Sequence, residues 1–426
     1  MDWLLNNWEN KTEYFAYALL SSAVIFYGIY SGLSVTHMTL DAFFLAVDVV
    51  VVDAVTSSLI FTLFLSFTGL LLLVELYSRK SVPSKYDSGE ALAVIPVYKD
   101  GNVLENSINS LNSSNYENLR IVVVCEPGDK ESIEAAEELD CEVLMNKYPG
   151  SKAGAINTAF ESYDADYFAI FDADEIISPE FVPHAVAHIE QGYDAFQGRR
   201  VPMPNGIVEG FAYCERVLFH TAYKLSELSG FRNLRSSSTV MTKDVWEKVG
   251  GYEDLLTEDL DFPHKCFREG INIRQDRRIT NLMEAPHSWK DFWGQRKRWR
   301  MGQIEILHKA LKGGYNNNFS YRGVVSLARL VFSVVVGFLL LAMVPKFLIL
   351  FLLDANTIYL PPLAASVILT GLVSLRDYKD RGIEYIGLKA FFTPVVFAVT
   401  GFIAVKSLAE YVLSWDGEWY RVTKEE

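Results

Sequence analysis

The sequence predicts an α/β domain built on a mostly parallel sheet and inserted between membrane-spanning helices. Three observations carry that prediction. Short apolar runs alternate with helix-patterned stretches between residues 91 and 171, the spacing of right-handed strand–helix–strand units. One run, Tyr167-Phe168-Ala169-Ile170-Phe171, stops abruptly at Asp172-Ala173-Asp174, as a buried parallel strand does at the edge of a sheet. Long, nearly uncharged stretches flank this polar centre on both sides.

The flanks come first. With 426 residues the chain has room for a large domain and more, and its apolar content is concentrated at the two ends. Tyr14 to Leu33 is the first stretch of about bilayer length, and roughly Ala54 to Tyr77 is the second. Asp48 and Asp53 would be costly at mid-membrane and are placed toward the outer face. Three further candidates follow the polar centre, at roughly Val324–Leu350, Ile358–Leu375 and Leu388–Val412. Arg79, Lys80 and Lys85 follow the second stretch, and Arg376, Lys379, Arg381 and Lys389 lie between the last two. Ser31–Leu40 and Asp354–Pro361 carry no Lys or Arg. The positive-inside rule then puts the N-terminus and the central domain in the cytosol and the C-terminus outside. No cleavable signal is expected, because a basic n-region and a small-residue cleavage site are missing. The competing reading is a soluble protein with several buried helices. The expected units are residues 1–80 (about two spans), 88–287 (cytosolic domain), 288–315 (interfacial helix) and 320–415 (about three spans).

Within the centre, Ala91–Val97, Leu119–Cys125 and Glu142–Met145 read as strands. Helices are expected near Val103–Asn112, Lys130–Leu139 and Gly150–Ser162. The second half is less regular. Phe196–Val201 and Thr239–Thr242 are strand candidates, Val208–Ser229 a long helix, and Glu258–Glu269 a helix behind Thr257, a good N-cap. Trp289–Lys312 is a basic, aromatic helix suited to a membrane interface.

Composition bounds the chemistry. A net charge of −14 argues against a nucleic-acid partner, which needs a basic face. Cys125, Cys141, Cys214 and Cys266 form no CxxC pair and read as free thiols of a reduced compartment. His184 and His188 share a helix face without an HExxH glutamate, so helix surface is favoured over a zinc site.

Four polar sites stand where ligands of an open α/β sheet collect. Pro96, Tyr98 and Glu126 flank a strand-end position where a base could stack and hydrogen bond. Lys152-Ala153-Gly154-Ala155-Ile156-Asn157 opens a helix whose Lys and free N–H groups suit a phosphate; a solvated helix lysine is the plain alternative. Asp172 and Asp174 offer hard oxygens to Mg²⁺ or Mn²⁺, against the reading of an Asp-rich turn. Glu258 and Asp259 begin a helix, where acids also suit the dipole, and either could take a proton as a general base. Last comes Gln295-Arg296-Lys297-Arg298-Trp299-Arg300, able to hold a diphosphate and stack on a sugar, or to bind anionic lipid heads.

The acid pair, the later Thr257-Glu258-Asp259 and Gln295-x-x-Arg298-Trp299, in this order, resemble the family 2 glycosyltransferases. The likeness is to the membrane-embedded branch of cellulose, hyaluronan and poly-N-acetylglucosamine synthases. It covers about Ala91 to Gln303, with Val249-Gly250-Gly251-Tyr252 between the motifs. The resemblance implies a GT-A-type (Rossmann-like) catalytic domain, a nucleotide-sugar donor, Mg²⁺ or Mn²⁺, and a polysaccharide or lipid acceptor at the cell membrane, among membrane lipids. It implies that Pro96, Tyr98 and Glu126 line the base pocket, although Cys125-Glu126-Pro127-Gly128 departs from the family's usual Asp-Asp-Gly-Ser. Lys152 and Asn157 would support the donor, Asp172 the ribose and the metal side, and Asp174 the metal. Asp259 would be the base, Glu258 its neighbour, and Gln295, Arg298 and Trp299 would close over diphosphate and acceptor. Ser236-Ser237-Ser238 occupies the place of a small-residue loop near the acceptor. The expected activity is inverting, metal-dependent transfer to a growing polysaccharide, processive and coupled to secretion. The alternatives are one addition to a ceramide-, diacylglycerol- or polyprenol-phosphate-type lipid, and a nucleotide-sensing membrane protein without catalysis.

Overall fold

The computed structural model describes residues 35–42, 45–52, 54–78, 89–316, 319–354 and 357–413. The expected first span, Tyr14–Leu33, lies outside the described residues. Strands β1 (Val35–Ala42) and β2 (Leu45–Val52) form an antiparallel hairpin with Val35 opposite Val52. An outer loop was expected from Ser31 to Leu40. The β-branched run Val49–Val52 suits extended backbone instead, which a count of loop charges does not register. Helix α1 (Ala54–Tyr77) follows, with the bounds expected of the second span.

The central domain then alternates as its sequence pattern requires. It runs β3 (Ala91–Val97), α2 (Gly101–Asn112), β4 (Leu119–Cys125), α3 (Lys130–Glu137), β5 (Glu142–Met145), α4 (Lys152–Ser162) and β6 (Tyr167–Ile170). Next come β7 (Glu175–Ile176), α5 (Phe181–Ile189), β8 (Ala195–Pro202), α6 (Ile207–Leu228), β9 (Thr239–Met241), α7 (Lys243–Val249), α8 (Glu258–Glu269) and β10 (Ile273–Met283). The sheet has eight strands in the order β5-β4-β3-β6-β9-β8-β10-β7. Its first half is parallel, but β9 runs antiparallel to both β6 and β8, and β7 antiparallel to β10. Strands β8 and β10 are parallel to each other, so the sheet is mixed, with six of its eight strands running in one direction as expected and β9 and β7 reversed. Three-residue β9 and two-residue β7 return directly from loops, and antiparallel pairing needs no crossover helix.

Alternate residues of the strands face opposite sides. Ala93, Ile95, Val123 and Phe196 enter one core with Phe171 and Phe181. Leu92, Val94, Val122 and Val124 enter the other with Ile156, Phe160 and Phe262. Strand β10 lacks any alternation legible in sequence, yet most of it is buried. Its charges are paired inside: Arg277 binds Glu75 of α1 at 2.9 Å and also Glu227 of α6, and Asp276 is held by Arg278.

Helix α9 (Trp289–Leu311) leads to α10 (Tyr321–Asp354), α11 (Pro361–Arg381) and α12 (Thr393–Leu413). A third core, with Phe61 and Leu72 of α1, Phe211 and Val217 of α6, Val373 of α11 and Phe397 of α12, joins these helices to the second half of the central domain. Among the described residues two helical stretches, Ser57–Tyr77 and Gly387–Val412, are long and apolar enough to cross a membrane, a condition that core helices of soluble proteins also meet.

Candidate active site

The carboxyl ends of the parallel strands β3, β4 and β6 lie along one edge of the sheet, hereafter the cleft, and the acid pair follows β6 there. Asp172 follows β6 directly, its carboxylate bridging the Lys152 ammonium of α4 and the Arg200 guanidinium of β8. Its backbone N–H donates to Glu175 Oε1 at 3.2 Å. Glu175 is fully buried and accepts from Ser238 Oγ at 2.6 Å. Burial, with Asp174 adding repulsion, lifts the Glu175 carboxyl to about 8. Asp174 lies half-buried at the same turn.

Helix α4 is positioned for this contact by a close approach. Ser151 caps it through Gly154 N at 3.1 Å, and a Cβ on Gly154 would stand 2.1 Å from the Tyr148 carbonyl oxygen. Glu126 fixes the neighbouring loop, accepting from Asn146 Nδ2 at 2.5 Å and Gly150 N at 2.9 Å. Tyr98 is 43% exposed at the end of β3, with the Lys99 ammonium over its ring at 5.1 Å from the centroid. Pro96 sits one residue inside the strand end. Asn157 looks elsewhere. Its amide oxygen accepts from Trp246 Nε1 (2.8 Å) and Tyr252 N (3.0 Å), and its nitrogen donates to the Tyr252 carbonyl (2.8 Å). It clasps the Gly250-Gly251 turn, where both glycines are left-handed (φ +76° and +69°).

That turn leads to Glu258 and Asp259. Glu258 is buried and accepts from Ser236 Oγ at 2.8 Å, while Asp259 meets Arg235 Nη1 at 2.9 Å. The two carboxyls are pushed apart. Burial and the charge of Asp259 raise Glu258 above the usual range. Burial also opposes ionisation of Asp259, but Arg235, Lys152 and Arg298 outweigh it and hold that carboxyl below the usual range. Thr257 makes no side-chain cap bond, contrary to expectation; its hydroxyl is buried without a partner. A Cβ on Gly302 would stand 2.1 Å from that hydroxyl oxygen, so α9 lies flush against the acids' loop.

Helix α9 packs inside the molecule through Phe292, Met301 and Ile306. Arg298 Nη1 donates to the Leu256 carbonyl at 2.9 Å. Gln295 accepts from Arg296, whose guanidinium also binds Glu215 at 2.6 Å. Trp299 is flanked by the guanidinium carbons of Arg296 (4.6 Å) and Arg216 (5.8 Å). The cleft thus brings together Asp172, Asp174, Lys152, Glu258, Asp259 and Arg298. Sequence reasoning missed Arg200, Arg235 and Glu175. The one available signal was Arg199-Arg200 set inside a strand-like run, since charges there must be paired.

A separate cluster lies under α5. His184, His188 and Asp276 bring one ligand atom each within 4.8 Å, all buried, so the expected helix surface is in fact interior. Asp276 accepts from His184 Nε2 at 3.1 Å and from Arg278 Nε at 2.8 Å. All four cysteines are free thiols, as expected.

Residues 92–246 match the family model of glycosyl transferase family 2. Among curated proteins the chain is 21% identical over 235 residues to a probable glycosyltransferase of Bacillus subtilis, covering 51% of this chain and 56% of that protein. It is 22% identical over 268 residues to a probable glycosyltransferase of Sulfolobus acidocaldarius (57% and 56% covered). It is 21% identical over 231 residues to the poly-beta-1,6-N-acetyl-D-glucosamine synthase of Staphylococcus aureus (50% and 54%). The chain spans little more than half the length of these relatives. In structure it resembles a mannosyltransferase from Pyrobaculum calidifontis in complex with GDP-Man and Mn²⁺, with a TM-score of 0.52 and 15% identity, covering 85% of this chain and 99% of that one. The fold is GT-A-like α/β with a mixed sheet, and the stretch that matches the family 2 glycosyltransferase model, residues 92–246, runs from β3 into α7.

Proposed function

We propose that the chain transfers a sugar, with inversion, from a nucleotide-sugar donor to a growing polysaccharide at the cell membrane, processively and with its own apolar helices as the exit route. The observation that carries this reading is the convergence of two acid pairs, Asp172/Asp174 and Glu258/Asp259, on one cleft with Lys152 between them. Lys152 binds Asp172 and feels the charges of Glu258 and Asp259. The donor would enter over Tyr98, with Pro96 and Glu126 bounding the base.

A divalent cation fits the donor set at the turn after β6, because Asp174 presents a hard carboxylate there. Asp172 already holds two cationic side chains, so Asp174 is the principal ligand and Asp172 joins it only by exchanging one of them. Mg²⁺ or Mn²⁺, when bound, supplies Lewis-acid stabilisation of the leaving diphosphate. Lys152, Arg200 and Arg298 add fixed positive charge near that group. Asp259, ionised at neutral pH, accepts the proton of the attacking hydroxyl as the oxygen closes on the anomeric carbon from the face opposite the diphosphate. One displacement suffices, and no carboxylate nucleophile is needed.

The test is a panel of nucleotide sugars supplied with Mn²⁺ or Mg²⁺, reading released nucleoside diphosphate and then product size. A ladder or high polymer is expected. A single glycolipid band would move the assignment to one addition on a membrane lipid, and binding without diphosphate release would leave a sensor. Asp259→Asn is expected to abolish transfer while keeping metal-dependent nucleotide binding; near-parental turnover would remove Asp259 as the base.

A further inference from the structure

A second polar cavity of about 590 Å³ lies away from the cleft. Its wall includes Ile273 to Asp276, the start of β10, whereas the other end of that strand pairs Met283 with Glu175 at the cleft. The cavity therefore sits at the other end of β10 from the cleft. Glu75 and Ser78, at the end of α1, and Arg322, at the start of α10, also line it. It occupies the junction where two long apolar helices leave the catalytic domain.

Its charge is not balanced. Five cationic side chains line it, Lys224, Arg232, Arg274, Arg278 and Arg322, against three acids. Those acids are already committed. Glu75 and Glu227 are shared between Lys224 and the buried Arg277, and Asp276 is held by Arg278. Arg274 and Arg322 have no carboxylate partner among the described residues. The Arg274 guanidinium lies 5.8 Å from the Tyr193 ring centroid, and its Nε is buried without a hydrogen-bond partner. A guanidinium with unspent donors in a part-enclosed site is matched by a phosphate, which can accept several at once.

We infer that this cavity binds a phosphate group, carried by the headgroup of an anionic lipid at the cytosolic end of α1, with Arg274 and Arg322 as its principal donors. The lipid source rests on the membrane reading made above; the phosphate chemistry does not. Basic pockets between membrane helices on the cytosolic side hold anionic headgroups for this reason. Such a lipid would brace the catalytic domain against the bilayer from the side opposite the cleft.

The full chain, purified in detergent, is titrated with phosphatidylglycerol and phosphatidylcholine by native mass spectrometry, and with glycerol 1-phosphate by calorimetry. Wild type is expected to retain phosphatidylglycerol over phosphatidylcholine. Arg274→Ala/Arg322→Ala should bind it roughly thirtyfold more weakly, from the usual worth of two basic residues near a headgroup. The Arg274→Lys/Arg322→Lys variant, which keeps the charge and guards against misfolding, should recover part of the affinity. Nucleotide binding at the cleft should be unchanged in both. If only glycerol 1-phosphate binds, and binds in a variant-dependent way, the phosphate site stands with a soluble ligand. A chain that stays monodisperse without detergent overturns the membrane reading and the lipid source, and the glycerol 1-phosphate titration still decides the cavity. Equal binding of both probes by wild type and the alanine variant overturns the inference.

Discussion

At the residue scale the two adjacent acids of α8 differ in proton affinity because their surroundings differ. Glu258 is buried with one hydroxyl donor, and Asp259 feels four cations, Arg235, Lys152, Arg298 and Arg200. A base whose conjugate acid lies below the usual carboxylate range is ionised across the neutral region, so transfer should be flat there and fall only as pH drops through that depressed value. A base with the raised proton affinity of Glu258 would put the falling limb at higher pH, above the ordinary glutamate range. The pH profile of kcat/KM therefore distinguishes the two acids: a limb above the ordinary glutamate range that vanishes in Glu258→Gln would transfer the base role to Glu258, whereas one that persists there reports the buried Glu175 carboxyl, itself lifted to about 8. Because the pair is coupled, a shifted limb in Glu258→Gln is expected as well. The second residue-scale test is Gly302→Ala. In an open helix that change normally stabilises, by about 0.5–1 kcal/mol. Here the new methyl would lie 2.1 Å from Thr257 Oγ1 and 2.8 Å from its Cβ, so the helix must shift. The expected outcome is a destabilisation of about 1–3 kcal/mol, seen as a lowered Tm, together with reduced kcat. A Tm at or above wild type would mean that α9 does not press on the acids' loop.

At the element scale, α9 acts as a clamp. Leu256 N donates to Glu305 Oε2 at 3.1 Å and the Leu256 carbonyl accepts from Arg298 at 2.9 Å, so both main-chain polar groups of one residue are held by the same helix, from positions two turns apart. Glu305 is a positioning residue. Glu305→Ala should lower kcat with little change in donor affinity, at about 1–3 kcal/mol of stability for the orphaned amide; Glu305→Gln keeps an acceptor and should restore most of the activity. A change in donor affinity alone would contradict the clamp. The same helix marks the limit of what the sequence discloses. Strands Ala91–Val97, Leu119–Cys125 and Glu142–Met145 and helix Glu258–Glu269 have the bounds expected of them, because apolar runs and local punctuation determine them. The motif acids were legible for the same reason, lying at the ends of those elements. Strand β10 was not, since Arg277 is buried only by virtue of Glu75 and Glu227, about 200 and 50 residues earlier in the chain. The antiparallel entry of β9 was equally hidden, as three residues carry too little pattern to give a direction. Arg200 and Arg235 meet Asp172 and Asp259 for reasons of tertiary placement alone. Local pattern identifies elements and motif residues, and distant charge partners escape it.

At the scale of the whole molecule, the question is what couples the eight-stranded sheet to the helices packed on it. Apolar packing supplies area, but the specific tie is a buried polar network at the end of α11. Both oxygens of Asp377 bind Arg199 of β8, at 2.5 and 2.8 Å, and one also accepts from Tyr213 of α6 at 2.7 Å. Arg199 and Asp377 are essentially inaccessible to water, and Arg199 Nε completes its set on His220 Nδ1 at 3.3 Å. Next to it, Arg376 reaches the Arg278 carbonyl of β10 at 2.7 Å, so α11 grips two adjacent strands. Removing one partner leaves a buried charge uncompensated, and Asp377→Ala should cost about 3–5 kcal/mol. Asp377→Asn keeps one acceptor and should cost less. Replacing both, as Arg199→Met/Asp377→Leu, removes the desolvation penalty along with the attraction and should return most of the stability. These differences are read from thermal or denaturant unfolding, with limited proteolysis reporting whether the helices release from the sheet. The decisive comparison is the double variant: if it is as unstable as Asp377→Ala, the ion pair itself stabilises the junction. If it recovers, packing supplies the stability and the pair sets the register in which α11 docks on β8 and β10.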